Sequence, residues 1–230
     1  MTAGQSVALA RRMNPLRFVQ SACLALAVAA ILSGCSRRGE IDELGTGIYA
    51  TRSVCPQVGI PAGTGDITLF SPPGRTDAAA IDVVATITNL RSQCSEDAAF
   101  VNSTATFDVV ATRRDAAEAR QVTLPYYNVV AQGGSTVVAK KIGYVALNFP
   151  AGSLRAQTNA QATARVSRSA VALPEEVRRE LTRRRRPGDP DAAVDPLSDP
   201  VVRDAVAKAT FEQLIGFQLT QDQLRYNATR

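Results

Sequence analysis

The sequence contains no histidine and no tryptophan among its 230 residues. The lack of histidine excludes Ser-His-Asp and Cys-His catalytic arrangements, the usual zinc hydrolase sites and the most frequent general base. The lack of tryptophan removes an aromatic platform on which a glycosidase could grip a sugar beside its carboxylate pair. These absences favour a protein that is not an enzyme. The sequence therefore offers no candidate catalytic or metal-binding residue. The alternative is a carboxylate-dependent hydrolase.

The chain also lacks an apolar run long enough to cross a bilayer. Its longest apolar segment, residues 18–32, has fifteen residues and is interrupted by two polar ones, whereas a spanning helix needs roughly 20. Three arginines and no acidic residue precede this segment. Positive charge followed by an apolar run predicts a secretory signal, whose start is either Met1 or Met13.

The apolar segment ends in Leu32-Ser33-Gly34-Cys35. A leucine or branched residue, two small residues and a cysteine form the processing motif of the bacterial lipoproteins, which this N-terminal segment resembles. The resemblance implies cleavage between Gly34 and Cys35 and a covalent lipid on the Cys35 sulfur, with no other cofactor. Two or three acyl chains anchor a protein stably, since each buried methylene contributes about 0.8 kcal/mol. Ser36 implies an outer-membrane rather than an inner-membrane location, facing the periplasm.

Such processing divides the chain into a signal peptide at 1–34, a flexible tether at 35–51 and a folded domain at 52–230. Removal of the signal and its three arginines lowers the formal net charge from +5 to +2. Composition therefore gives no support for nucleic-acid binding. Lysine is scarce, and the chain has only Lys140, Lys141 and Lys208.

Two cysteines, Cys55 and Cys94, remain after the signal and the lipidated residue are set aside. An even pair in an oxidising compartment predicts a disulfide. The bond would close a loop of 39 positions, for which the chain-entropy model gives about 4 kcal/mol of stabilisation. A redox or metal site is disfavoured because there is no third cysteine and no histidine to complete it.

The folded domain alternates apolar and polar residues over several short segments. Ile81, Val83, Ala85 and Ile87, for example, alternate mainly with polar residues, which predicts a half-buried strand. Similar patterns predict seven strands, starting near positions 67, 81, 104, 121, 136, 157 and 210. Seven short strands are typical of an immunoglobulin-like or fibronectin-like β-sandwich, with a small β-barrel as the alternative. Pro125 predicts an edge position or a bulge for the fourth strand.

The fifth predicted strand, Thr136–Phe149, differs from the others because both of its phases contain apolar residues. One phase includes Val137, Val145 and Leu147, and the other includes Val138 and Ile142. This pattern predicts partners on both faces along part of the strand.

A helical and proline-rich insertion is predicted at about 173–208, before the last strand. Pro174 followed by two glutamates is typical of a helix start, and Asp199 followed by proline predicts a second helix. The segment predicted as the final strand also fits a helix, because Phe211, Leu214 and Ile215 would lie on one helical face. After it, Thr220 and Gln223 have the spacing of a capping box.

The first predicted helix ends in the arginine run Arg183, Arg184, Arg185 and Arg186. This run is interpreted either as a solvated helix end, balanced by the aspartates that follow it, or as a surface that binds an anion or an acidic partner. The sequence as a whole favours a non-enzymatic binding or assembly module of the cell envelope. It would be held at the membrane by its lipid and would bind a protein partner; no small-molecule substrate is identified, and the alternative is a periplasmic hydrolase.

Overall fold

A computed structural model describes residues 53–186 and 188–229. Cys35, the cleavage site and the tether lie outside these residues. The strands described are β1 (Gln57–Gly59), β2 (Asp66–Phe70), β3 (Ile81–Glu96), β4 (Phe100–Arg113), β5 (Arg120–Gln132), β6 (Thr136–Phe149), β7 (Arg155–Ser167) and β8 (Phe211–Phe217). The α-helices described are α1 (Arg168–Val171), α2 (Glu175–Thr182), α3 (Pro200–Ala209) and α4 (Gln221–Thr229), with 3₁₀ turns at Ala78–Ala80 and Pro196–Ser198.

The strands form two sheets of four, in the orders β1-β8-β5-β6 and β2-β3-β4-β7. Neighbouring strands are antiparallel except for β1 and β8, which run parallel. The inward-facing apolar residues of both sheets form one core. Within the described residues the two sheets remain separate ladders. The fold is therefore a sandwich and not the small barrel considered as an alternative.

The chain passes from one sheet to the other after β1, β4, β6 and β7. In immunoglobulin-like sandwiches, strands A, B and E share one sheet, while F, C and C′ are neighbours in the other. Here β3-β4-β7 and β8-β5-β6 occupy these places. The predicted immunoglobulin-like sandwich with a helical insertion before its last strand is thus confirmed.

All seven predicted strands are present, as β2 to β8. The period-two pattern located them because their alternate residues enter the core, among them Phe107, Leu124, Leu147 and Ile215. The sequence analysis missed β1, which has three residues and is too short to show an alternation. It pairs with β8 from Gln57 to Gly59.

The edge position predicted for the strand that contains Pro125 is wrong, because β5 is a central strand between β6 and β8. The β5–β8 ladder begins at Tyr126, opposite Phe217. The Pro125 carbonyl accepts a hydrogen bond from the Gln218 backbone N–H at 2.9 Å, just beyond that ladder. Since the N–H and C=O groups of one strand residue point the same way, the N–H that proline lacks would face this end of β8. The hydrogen bond that proline cannot donate therefore lies just outside the ladder from Tyr126 to Gln132.

The helical insertion contains its own small apolar cluster, in which Val177 and Leu181 of α2 pack with Val202 of α3. Asp199 caps α3, because its side chain accepts a hydrogen bond from the Val201 backbone N–H at 2.8 Å. The predicted capping box at Thr220 and Gln223 is also formed, with reciprocal hydrogen bonds of 2.9 and 3.2 Å. It begins α4, a longer helix than the short terminal turn expected.

Candidate functional site

Cys55 and Cys94 form the predicted disulfide, with their Cα atoms 6.1 Å apart. Cys55 lies just before β1, and Cys94 lies near the end of β3. The bond therefore fixes the start of the described domain to that end of the sandwich. No titratable thiol is available at either position, so this pair has a structural role.

The arginine run has a mixed environment. Arg185 is only 2% exposed, and its guanidinium donates to Glu180 at 2.6 Å and lies 3.4 Å from Asp191. Arg183 forms ion pairs with the same two carboxylates, and its hydrogen bond is the main cause that lowers the pKa of Asp191. These two arginines bind the end of α2 to the segment that follows it.

The other two members of the run, Arg184 and Arg186, are exposed. The Arg186 backbone N–H donates to the Asp189 carboxylate at 2.8 Å. Anion binding by the run stays a prediction. The structure does show that the four arginines do not form one uniform exposed surface, since Arg185 is buried.

A cleft of about 820 Å³ lies between β2, the loop that follows it and α4. Phe70 and Tyr226 form its aromatic wall, with ring centroids 5.0 Å apart. Its charged side chains are engaged in ion pairs, namely Arg75 with Asp77, Asp82 with Arg120, and Arg225 with Asp222. Among the described residues no group of three or more His, Cys, Asp or Glu could hold a metal ion.

The most exposed apolar surface described lies on β6. In its second half Val145, Leu147 and Phe149 are buried in the core. In its first half, residues 136–144, all but one residue are exposed. The exposed fractions are 59% for Val137, 49% for Val138, 42% for Ile142 and 71% for Tyr144. We name residues 136–144 the open half of β6.

The boundary between the two halves of β6 lies at Gly143. A Cβ atom at this glycine would lie 2.4 Å from Cζ of Tyr126, so the tyrosine ring covers the glycine directly. The Tyr126 hydroxyl donates to the Gln161 carbonyl of β7 at 3.2 Å, and the ring packs edge-on against Phe107 at 5.3 Å. Tyr126 thus links both sheets beside Gly143, the point along β6 before which the residues are exposed.

Among the strands that the structure describes, none pairs with the outer edge of the open half. β6 is the last strand of its sheet and pairs with β5. An edge strand presents alternating N–H and C=O groups that have no strand beside them. Lys140 and Lys141 project from this edge, one toward each face of the sheet, because successive strand residues point to opposite sides. The Lys140 ammonium lies 5.8 Å from the ring centre of Tyr127.

The surroundings of the open half are deficient in negative charge. The sequence has no acidic residue between Glu118 and Glu175, a stretch that contains β5, β6 and β7 entirely. The basic residues of this stretch are Arg120, Lys140, Lys141, Arg155, Arg165 and Arg168. Glu212 on β8 is the one acidic residue on the strands of this sheet, and β5 separates it from β6.

The open half lies at the end of the sandwich where the described domain begins. Val54 packs against an apolar cluster that includes Val130 of β5 and Phe211 of β8. The turn between β5 and β6 is held at the same end, because the Gly133 backbone N–H donates to the Thr210 carbonyl at 3.0 Å. The described domain therefore begins near the β5–β6 hairpin.

Sequence reasoning did not single out this edge as a site, although its signal was present. The apolar residues in both phases of β6 predicted partners on both faces. Within the described residues the second half is buried on one face only, and the first half is exposed on both faces. The predicted cover on both faces is therefore not found. The sequence shows that lysines are rare, but it does not show that β6 lies at an edge, so it does not mark Lys140 and Lys141 as a site.

Comparison with known proteins gives no match. No family model matches the chain, and no curated protein or solved structure is significantly similar to it. Across residues 53–186 and 188–229, no helix has the length and apolar character that crossing a membrane requires.

Proposed function

We propose that this chain is a lipid-anchored protein of the bacterial cell envelope that acts as a non-enzymatic binding or assembly module. Its anchor is the lipid on Cys35, and its sandwich faces the periplasm, with the outer membrane favoured by Ser36. The observation that supports a binding role is the open half of β6, where exposed apolar side chains coincide with an unpaired strand edge.

An exposed apolar edge is unusual in an isolated domain. Natural sheets generally shorten, charge or cover their edges, because an open edge pairs with other chains. Contiguous apolar residues on a surface mark interaction sites more often than isolated ones. In this protein the residues of the open half belong to none of the described core clusters, so they make little contribution to the core. A partner that covers the open half would explain why its exposed side chains are apolar.

The position of the edge suits an anchored module. The tether at 35–51 contains 17 residues, which span at most about 60 Å when fully extended. The domain begins at the end of the sandwich that carries the β5–β6 hairpin. The open half is then held within reach of other proteins at the same membrane.

The anchor is tested with Cys35→Ala in the native host. We expect a larger, unprocessed precursor, because the cysteine is both the cleavage and the lipidation site of the motif. Wild-type chain should incorporate labelled palmitate and fractionate with the outer membrane on a density gradient. A Cys35→Ala chain that is still trimmed to the mature size and still carries acyl chains would exclude the anchor.

The binding surface is tested by photo-crosslinking in intact cells. A photoreactive residue at Val138 should yield a discrete protein adduct, because this side chain is exposed on the open half. The matched control is the same residue at Thr112, which is exposed on β4 of the other sheet. Equal adduct patterns at both positions would show that β6 has no preferred partner.

A further inference from the structure

We propose that the open half of β6 binds an extended, acidic segment of a protein partner, which adds to the sheet as a further strand beside β6. This inference rests on the proposed function and specifies the chemistry of the partner. It does not depend on lipidation, because the contacts it requires lie within the described domain.

The backbone favours an extended partner. β6 is the last strand of its sheet, and its open half is nine residues long, enough for a complete added strand of ordinary length. Strand addition satisfies edge N–H and C=O groups by main-chain hydrogen bonds, while side chains on alternate sides give specificity. The side chains of Val138, Ile142 and Tyr144 are available for such contacts because each is more than 40% exposed.

The charge favours an acidic partner. Lys140 and Lys141 lie in the middle of the open half, and the stretch from β5 to β7 contains no acidic residue that could neutralise them. Opposite charges placed directly across a strand pair stabilise it, and like charges destabilise it. A second copy of this chain paired through β6 would bring lysines of both copies to the same edge. The lysines therefore disfavour self-pairing and select acidic residues.

A membrane surface fits the same residues less well. Lys140 and Lys141 point to opposite faces of the sheet, and residues on both faces of the open half are exposed. A bilayer that contacts one face leaves the other face and the backbone edge uncovered. A partner strand extends the sheet and lies beside both faces at once.

The first experiment measures peptide binding to the mature full-length chain in detergent micelles. The probe is a ten-residue capped peptide of alternating Thr and Val with two Glu at its centre, and the control peptide has two Lys there. We expect the acidic peptide to bind at least about tenfold more tightly at low salt, because both glutamates meet a lysine. Equal affinity of the two peptides, or binding of neither, overturns the proposal.

Backbone pairing is tested with two N-methylated forms of the acidic peptide. Each form carries methyl groups on alternate amides, so one form blocks the edge that faces β6 and the other blocks the opposite edge. We expect one form to lose binding and the other to retain it, because strand pairing uses the N–H groups of one edge only. Equal binding of both forms would show that attraction between charges, without strand addition, holds the peptide.

Charge reversal provides the matched variant. Lys140→Glu with Lys141→Glu should invert the preference, so that the peptide with two central lysines binds better than the acidic one. Both residues are exposed, and an unchanged melting temperature checks that the fold is intact. If this variant fails to fold, the wild-type measurements with the four peptides still decide the proposal.

A last measurement tests whether the open half contacts the membrane instead of a peptide. Tyr144→Trp gives the chain a single tryptophan whose fluorescence can be followed, because the sequence contains no other. The anchored variant is placed in vesicles of phosphatidylethanolamine and phosphatidylglycerol that contain brominated lipid. We expect little quenching without peptide and a change of emission when the acidic peptide is added. Strong quenching by the lipid alone would assign the open half to the bilayer and overturn the proposal.

Discussion

The arginine run at 183–186 and the lysine pair Lys140–Lys141 are two cationic regions of the same domain with opposite environments. The run has more charge in the sequence, yet Arg185 is buried against carboxylates. The lysine pair has less charge and lies exposed on an edge strand. The density of charge along a sequence therefore does not indicate which charges are available to a partner.

The local composition explains this difference. Acidic residues flank the run on both sides, and Glu180 and Asp191 fold back onto Arg183 and Arg185. The planar guanidinium suits such close pairs, because it directs several donors toward carboxylates. The lysines lie in a stretch without acidic residues. The arginine run forms ion pairs with carboxylates of its own fold, whereas the charge of the lysine pair is available to an external group.

The largest expected effect is a loss of stability when the buried arginine of the run is removed. Arg185→Ala should lower the free energy of unfolding by about 2 kcal/mol, because it removes a buried side chain and one of the two arginines that pair with Glu180 and Asp191. The control Arg178→Ala breaks an exposed pair with Glu175 and should cost about 0.5 kcal/mol or less. Urea unfolding of both variants measures the difference. Equal losses would mean that burial of Arg185 has no energetic importance.

Acid provides a smaller perturbation that should act on the arginine region and not on the lysine pair. The hydrogen bond from Arg183 holds the pKa of Asp191 below its ordinary value. A lowered folded-state pKa contributes stability above the unfolded value, and this contribution is lost as the pH falls through the folded value. We expect the NMR signal of the buried Arg185 Nε–H to weaken below about pH 4, while amide shifts of residues 138–142 stay constant.

The variant Asp191→Asn serves as the control for this measurement. It removes the titrating group, so the Arg185 signal should be weakened already at neutral pH and should change little in acid. A wild-type signal that persists unchanged until the whole domain unfolds would contradict the assigned role of Asp191.

The sequence predicted the features that depend on local patterns. Period two located β2 to β8, residue counting identified the Cys55–Cys94 disulfide, and the spacing of Thr220 and Gln223 identified a capping box. Each of these follows from neighbouring residues or from a small number of candidates. The doubly apolar pattern of β6 predicted partners on both faces, and the described domain does not supply them.

Features that depend on the arrangement of strands in space were not predictable in this way. Pro125 is normally a sign of an edge, but here it lies on a central strand because β8 ends beside it. The burial of Arg185 depends on the chain after α2 turning back toward Glu180. The exposure of Lys140 depends on the strand order of the sheet. Each requires knowledge of distant residues, which a local pattern does not contain.

The smallest expected effect on stability comes from the lysine pair. Lys140→Thr with Lys141→Thr should change the free energy of unfolding by no more than about 0.5 kcal/mol, because both side chains are exposed and threonine is well suited to a strand. The same change should increase self-association, since lysines on an edge oppose pairing between identical strands. Analytical ultracentrifugation of the variant, with Lys208→Thr on α3 as the matched control, measures this effect. A stable, strictly monomeric double variant would show that the lysines do not protect the edge, and their selection for an acidic strand would then be their remaining role.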